Sequence, residues 1–246
     1  MQIILSDVQD QLVKGLSHRM NNILTLFHGY LGLLLDNEDL DPVTQEGLSK
    51  IKDSARIASE LMDRTNALVR PKNLMPREIV IEEFLNQLTP TFEKLRASGP
   101  RIEVECKPDL PQVIADPSRI RVALTELVKN ACDATESGGS IRIVVSSSST
   151  SPKETFGSTT EPPPADWVVI SVIDQGVGID KSVAHQLYEP FSTTKKRIVI
   201  AGLGLTVAMR CMQQIGGGID HEFEPGKTTF RLTLPARRAG KLRAVA

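Results

Sequence analysis

Cysteine is scarce in this chain, with three thiols in 246 residues, at Cys106, Cys132 and Cys211. An odd number of widely scattered thiols excludes a disulfide framework, and none of the spacings suits a metal-ligand pair. Reduced thiols of a cytoplasmic protein are the expected state. An excess of one charge is also lacking: 29 Lys and Arg against 30 Asp and Glu leave a net charge of −1. No strong global field attracts nucleic acid or a membrane surface, and neither is expected as a partner. Apolar runs near the roughly 20 residues needed to span a bilayer are absent as well. The first ten residues, MQIILSDVQD, are too acidic and too briefly apolar for a signal peptide, and too few for a sensor domain. Any regulator is then expected to act from outside, as a separate sensor protein or a removed domain. The basic run from Arg237 to Arg243 is short and reads as a solvated tail. What is present is a globular composition, 40% hydrophobic and 24% charged, long enough for one large domain or two modest ones.

The N-terminal third has helical periodicity. Leu16, Met20, Ile23, Phe27, Tyr30 and Leu34 recur at alternating steps of four and three, a heptad seam within a helix over about 5–35. Asp41-Pro42 supplies an N-cap and a proline at the first position of a second helix, reaching about Val69. Two helices joined by a short turn form an antiparallel hairpin. Leu48, Ile51, Ala55, Ala58, Met62, Thr65 and Val69 keep the same spacing on the second helix, and one hairpin cannot bury both seams, so a homodimeric four-helix bundle is expected. Arg70-Pro71-Lys72 ends it, which divides the chain into a 1–72 hairpin and a 73–246 domain.

In the second part the spacing predicts strands at about 79–81, 101–106, 140–147 and 167–173. Helices are predicted at about 82–97, 117–135 and after Gly202. The chain closes with a hairpin over 219–234 that turns at Pro225-Gly226. Strands and helices do not alternate regularly, so an α+β sandwich with a mixed sheet is expected. Residues 146–165, SSSSTSPKETFGSTTEPPPA, read as a flexible insertion.

Three segments carry chemistry. Glu126 and Asn130 are four apart on one helix and share a face, offering hard oxygen ligands suited to Mg²⁺. Asp174 ends a strand and is followed by Gly176 and Gly178. A carboxylate there can accept a hydrogen bond from an exocyclic amine, and the glycines permit close backbone approach. Ser192, Thr193, Thr194 and Lys195 precede Gly202 and Gly204, which expose N–H groups at a helix entry fit for phosphate. Each segment alone is a modest signal. Their order within one domain is much stronger.

Together they resemble the N, G1, F and G2 boxes of the Bergerat-type ATP-binding fold, shared by histidine kinases, type II topoisomerases, Hsp90 chaperones and MutL repair proteins. Leu16-Ser17-His18-Arg19-Met20-Asn21-Asn22 resembles the H box of two-component sensor histidine kinases, in particular the His-Asp-Phe-Asn-Asn hybrid and nitrogen-regulation type. The resemblance covers nearly the whole chain. It implies a catalytic core that binds ATP with Mg²⁺, phosphorylates itself on His18 and passes the phosphoryl group to a response-regulator receiver domain.

By the same resemblance Asn130 coordinates Mg²⁺ with Glu126 beside it, and Asp133 completes the box. Asp174 recognises adenine, with Gly176 and Gly178 allowing close approach. Thr194 and Lys195 lie by the phosphates, Gly202 and Gly204 border the lid, and Asn22 helps place water for dephosphorylation of the partner. His18, two residues past Leu16, points away from the seam. His28, His185 and His221 read as structural or surface residues, with no partners evident for the last two.

Two positions depart from the family pattern. Arg19 stands where relatives carry Asp or Glu, and a cation cannot assist proton removal from the imidazole. Lys196 to Ala201 reads KRIVIA, stiffer and more apolar than related lids. These departures sustain a rival reading, a dimeric phosphotransfer or scaffold protein that has lost autokinase activity. A plain ATPase or chaperone module would leave His18 and the heptad hairpin unexplained.

Overall fold

The computed structural model describes residues 2–69, 73–96, 99–149, 166–176, 178, 186–192 and 202–237, with side chains from Asp10 onward. Its element order begins with α1 (Gln2–Leu35), α2 (Pro42–Leu68), β1 (Arg77–Ile79), α3 (Ile81–Arg96), β2 (Arg101–Cys106) and β3 (Gln112–Ala115). It continues through α4 (Pro117–Ala134), β4 (Ser140–Ser148), β5 (Asp166–Asp174), α5 (Gly204–Gln214), β6 (Gly218–Glu224) and β7 (Lys227–Arg237).

The helical hairpin forms for local reasons. The Asp41 carboxylate accepts from the N–H groups of Val43 and Thr44 at 3.0 and 3.1 Å, and Pro42 follows at a position needing no donor. Within the hairpin α1 turns Ser17, Leu24 and Leu31, spaced by seven, inward. His28 Nε2 meets Ser59 Oγ at 3.3 Å, which fixes the antiparallel register. The heptad seam lies on another face. Leu16, Ile23, Phe27, Tyr30 and Leu34 are 47–67% exposed within the single chain. Among the described residues no helix is long and apolar enough to cross a membrane.

The second part is a mixed seven-stranded sheet in the order β1-β3-β7-β5-β4-β2, with β6 also pairing β7. Among the described strands only β2 and β4 run parallel. One face is apolar: Ile141, Ile143 and Val145 of β4, Val168, Ile170 and Val172 of β5, and Phe230, Leu232 and Leu234 of β7 are buried. Helices α3, α4 and α5 cover that face with Leu85, Leu88, Leu124, Leu127, Val207 and Met212. Ala67 of α2 joins the same core, so the hairpin's last turn is packed into the sandwich. Leu124 is fully buried under this layer. Leu124→Ala is expected to lower unfolding stability by about 2–5 kcal/mol, read as a shift of the urea midpoint without a change of slope.

Some boundaries differ from the sequence reading. The expected strand at 79–81 is Arg77–Ile79, and Ile81 already opens α3. The run Ile79-Val80-Ile81 has the composition of a strand, but the antiparallel register of β1 on β3 places Arg77 opposite Ala115 and stops at Ile79. Strand β3 is not predicted by the pattern, because four residues between Pro111 and Asp116-Pro117 are too few to show a period. Ser146 to Ser148 belong to β4, paired with Val169 to Trp167. Residues 150–165 of the expected insertion, and 238–246 of the basic tail, lie outside the described residues.

Candidate functional site

The C-terminal end of β5 places Asp174 on the covered side of the sheet, 3% exposed. Its Oδ1 accepts from the Gly176 N–H at 2.9 Å. The hydroxyl of Thr228, directly across the sheet on β7, also donates to it. Burial pushes the carboxyl above the usual range, and these two donors offset only part of the rise. Gly176 is required by space: a Cβ there would stand 2.6 Å from the Ala134 carbonyl oxygen and 2.8 Å from Asp174 Oδ1. Gly178 has a φ of 77°, a backbone conformation that favours glycine.

Helix α4 begins at a capped Asp116-Pro117 and runs beside Asp174 to Ala134. It carries Glu126, buried, and Asn130, half-buried, toward the first turn of α5. A Cβ at Gly204 would lie 2.8 Å from Glu126 Oε2 and 3.4 and 3.5 Å from the amide N and O of Asn130. Glycine therefore leaves a cradle between two oxygen-bearing side chains and a helix N-terminus, where backbone donors and the helix dipole favour anions. Hard oxygen donors beside an anion-binding turn fit a magnesium nucleotide. Asp133 is exposed farther along α4. Gly202, with φ 85°, accepts from the Phe191 N–H at 2.8 Å and so ties the 186–192 segment to the entry of α5. The sequence-predicted residues Thr194 and Lys195, with His185 and the 196–201 stretch, lie outside the described residues.

The structure thus brings Glu126, Asn130 and Gly204 together, and separately Asp174 and Gly176 beside the end of α4. His18 and Asn22 are exposed on α1. With His28 opposite Ser59, His18 is level with Val69 at the end of α2. That end is held by α5: Arg210 Nε donates to the Leu68 carbonyl at 3.1 Å, and Gln214 Nε2 donates to Ala67 and Val69 at 3.4 and 3.2 Å. These amide and guanidinium donors satisfy carbonyls that a helix C-terminus leaves open.

A second set of ties was not legible in the sequence. Arg64 of α2 grips Glu126 with two hydrogen bonds, Nε to Oε1 at 2.9 Å and Nη2 to Oε2 at 2.8 Å. Both side chains are only 11% exposed. Removing one partner of such a pair leaves a buried charge and costs about 3–5 kcal/mol. One turn earlier Glu60 meets Lys129 at 2.9 Å. Burial raises the Glu60 carboxyl, but the Lys129 hydrogen bond and charge, with Arg56, outweigh it and hold it below the usual range. His221, expected to be without partners, shares a 2.9 Å hydrogen bond with the Tyr188 hydroxyl and lies against Phe223. A side-chain contact between residues 188 and 221 is not visible in a linear pattern.

Residues 115–238 match the family model described as histidine kinase-, DNA gyrase B-, and HSP90-like ATPase, just over half of the chain. The chain belongs to this family. Residues 8–73 match the His Kinase A phospho-acceptor domain, so the chain is built as a sensor histidine kinase catalytic core. Sensor kinase CckA of Brucella abortus is 31% identical over 92% of this chain and 24% of that protein. Sporulation kinase E of Bacillus subtilis is 26% identical over 94% of this chain and 29% of that protein. The sensory histidine kinase/phosphatase NtrB of Rhodobacter capsulatus is 27% identical over 91% and 61%. The chain spans about a quarter of the length of the first two relatives. Full-length ShkA in complex with AMPPNP has the same fold, with a TM-score of 0.69, 22% identity, and coverage of 94% of this chain and 46% of that one. The nucleotide-free catalytic domain of histidine kinase ThkA is 26% identical, with a TM-score of 0.52 over 66% of this chain and 96% of that one.

Proposed function

We propose that this core is an ATP-dependent protein histidine kinase that phosphorylates itself on His18 as a homodimer and hands the phosphoryl group to the aspartate of a response-regulator receiver domain. The observation that carries the reading is the pairing in one chain of an exposed His18 with the Glu126–Asn130–Gly204 cradle. The two sit on elements joined through the end of α2.

In this reading Asp174 accepts from the adenine amine, and Gly176 and Gly178 let the base approach the backbone. Asn130 and Glu126 hold Mg²⁺, whose charge offsets that of the triphosphate. The first N–H groups of α5 at Gly204 take phosphate oxygens, and Thr194 and Lys195 add a hydroxyl and a cation. Asp133 lies at the rim of the same site. Gly202 sets the base of the lid. The neutral His18 imidazole supplies the lone pair for the new N–P bond. The bond from the γ-phosphorus to the bridging oxygen breaks, and ADP leaves with its electron pair. The ring proton goes to solvent, for which the exposure of His18 is suited. Asn22, one turn on, is placed to orient a water against the phosphorylated receiver, which would add phosphatase activity.

Arg19 favours a second reading. An acid beside the histidine would draw off the ring proton, and an arginine cannot. On that reading the dimer relays phosphoryl groups through His18 without making them from ATP. Purified protein incubated with Mg²⁺ and γ-labelled ATP separates the two. Acid-labile, alkali-stable label that disappears in His18→Gln is the expected outcome. Absence of label alongside measurable ATP binding would transfer the case to the relay.

A further inference from the structure

The charge around His18 is of one sign. Between Asp10 and Asp36, α1 carries no acid, and its only formal charges are Lys14 and Arg19. Both are exposed, as is His18. Among the described residues neither cation has an ion-pair or hydrogen-bond partner. Side chains on a helix lean toward its N-terminus and cover the turn three to four residues back. His18 and Arg19 therefore both lean over Gly15, three residues before one and four before the other. Gly15 leaves that ground bare, and a Cβ added there would meet nothing within 4 Å. Glycine inside a helix costs stability relative to alanine, and no packing within the single chain requires this one. We propose that His18, Arg19 and the bare backbone at Gly15 form a seat for a phosphoryl group, in which the Arg19 guanidinium holds the oxygens of phospho-His18 and prolongs its life. This rests on the phosphoacceptor reading of His18, in either of the two forms given above.

The chemistry sets the direction. A guanidinium presents its N–H donors in a plane and pairs with phosphate oxygens through two parallel bonds. Beside the unmodified imidazole it has no such partner. On phospho-His18 it faces a group carrying about two negative charges. Hydrolysis forms an O–P bond from water and breaks the N–P bond, and the ring nitrogen keeps the electron pair and takes a proton. The transition state is loose, with the phosphorus group close to metaphosphate, which carries only about one negative charge. A fixed cation therefore lowers the ground state more than the transition state, and the barrier rises. The same cation opposes the proton that the departing nitrogen needs. An acid at position 19 would reverse both effects, repelling the phosphoryl group and favouring the proton. Arg19, unsuited as a base for forming the N–P bond, is suited to keeping it. The phosphorylated hairpin is then a store that empties when a receiver aspartate takes over the phosphorus. Lys14 lies one turn earlier on the face of His18, but it leans away, toward Asp10.

The test uses the full chain and phosphoramidate as the phosphoryl donor, so that loading does not depend on ATP. The His18 ring nitrogen forms the new N–P bond, and ammonia leaves with the electron pair of the old one and takes up the ring proton. The donor is then removed, and loss of the phosphoryl group at neutral pH is followed by phosphorus NMR, with His18→Gln as the blank for the other histidines. Arg19→Gln is expected to lose the group about 10-fold faster than wild type. Arg19→Lys, a point charge, should fall between the two, and Arg19→Glu should be faster than Arg19→Gln. Lys14→Gln removes the same charge one turn away and should decay as wild type does. Equal lifetimes in Arg19→Gln and wild type would overturn the proposal. So would a Lys14→Gln lifetime as short as that of Arg19→Gln, which would reduce the effect to a general field. A changed sedimentation coefficient in Arg19→Gln at unchanged lifetime would likewise overturn it and assign Arg19 to the dimer. Failure of phosphoramidate and ATP alike to load His18 would instead remove the phosphoacceptor reading itself.

Discussion

Asp174→Asn is expected to weaken ATP binding by about 10- to 100-fold while leaving the protein folded. The substitution preserves shape. The asparagine oxygen still accepts from the Gly176 N–H, which now lies 2.9 Å from Oδ1. The Thr228 hydroxyl can turn to accept from the new amide rather than donate. What changes is the atom left for the base: a carboxylate oxygen becomes an NH₂ that faces the amine of adenine, donor against donor. A hydrogen bond to a charged acceptor contributes about 1.5–3 kcal/mol, which sets the scale of the loss. Calorimetry with ATP measures it, and an unchanged melting curve separates recognition from folding. The pH dependence gives an independent check. Burial raises the Asp174 carboxyl, so it takes up its proton at a higher pH than an ordinary aspartate. On the proposed reading the ionised form accepts from the adenine amine and the protonated form does not, so affinity should fall as pH is lowered through that raised range. Asp174→Asn should be flat across the same window. An asparagine variant that binds ATP as wild type does would remove Asp174 from base recognition.

How far such a site is readable before folding depends on how local its parts are. Glu126, Asn130 and Gly204 could be named from spacing because a helix face and a glycine-marked helix entry are local features. Asp174 was legible as the last residue of an apolar strand. The partners were not. Thr228 bears on Asp174 only through the pairing of β5 with β7, fifty-four positions away by their numbering, and nothing in its neighbourhood announces that. Arg64 sits in a helix whose pattern advertises only its apolar side, and its pairing with Glu126 depends on how two parts of the chain come to rest on each other. The heptad told which residues of α1 are apolar, but not which of two apolar faces meets α2. That choice went to Ser17, Leu24 and Leu31, and left the heptad seam outward.

That outward seam yields the last expected result. Replacing Ile23 and Phe27 together with glutamate should convert the protein from dimer to monomer at micromolar concentration. Both side chains are about half exposed in the single chain, at 47% and 51%, within a stripe that continues through Leu16, Tyr30 and Leu34. A soluble domain seldom leaves such a stripe uncovered. A two-fold partner covering it would meet each residue with a symmetry mate, so every substitution counts twice. Four apolar side chains, each worth about 1.5–3 kcal/mol when buried, place the loss at roughly 6–12 kcal/mol before the cost of burying charge. That corresponds to at least a thousandfold weakening of association. Sedimentation equilibrium measures it. Circular dichroism should show the helices retained, because neither residue belongs to the buried set of Leu24 and Leu31 on α1. Thr25→Glu provides the control: Thr25 is exposed and lies about 180° around α1 from Leu16. It should leave the dimer intact. A double variant that still sediments as a dimer would place the interface on another surface and take the four-helix bundle with it.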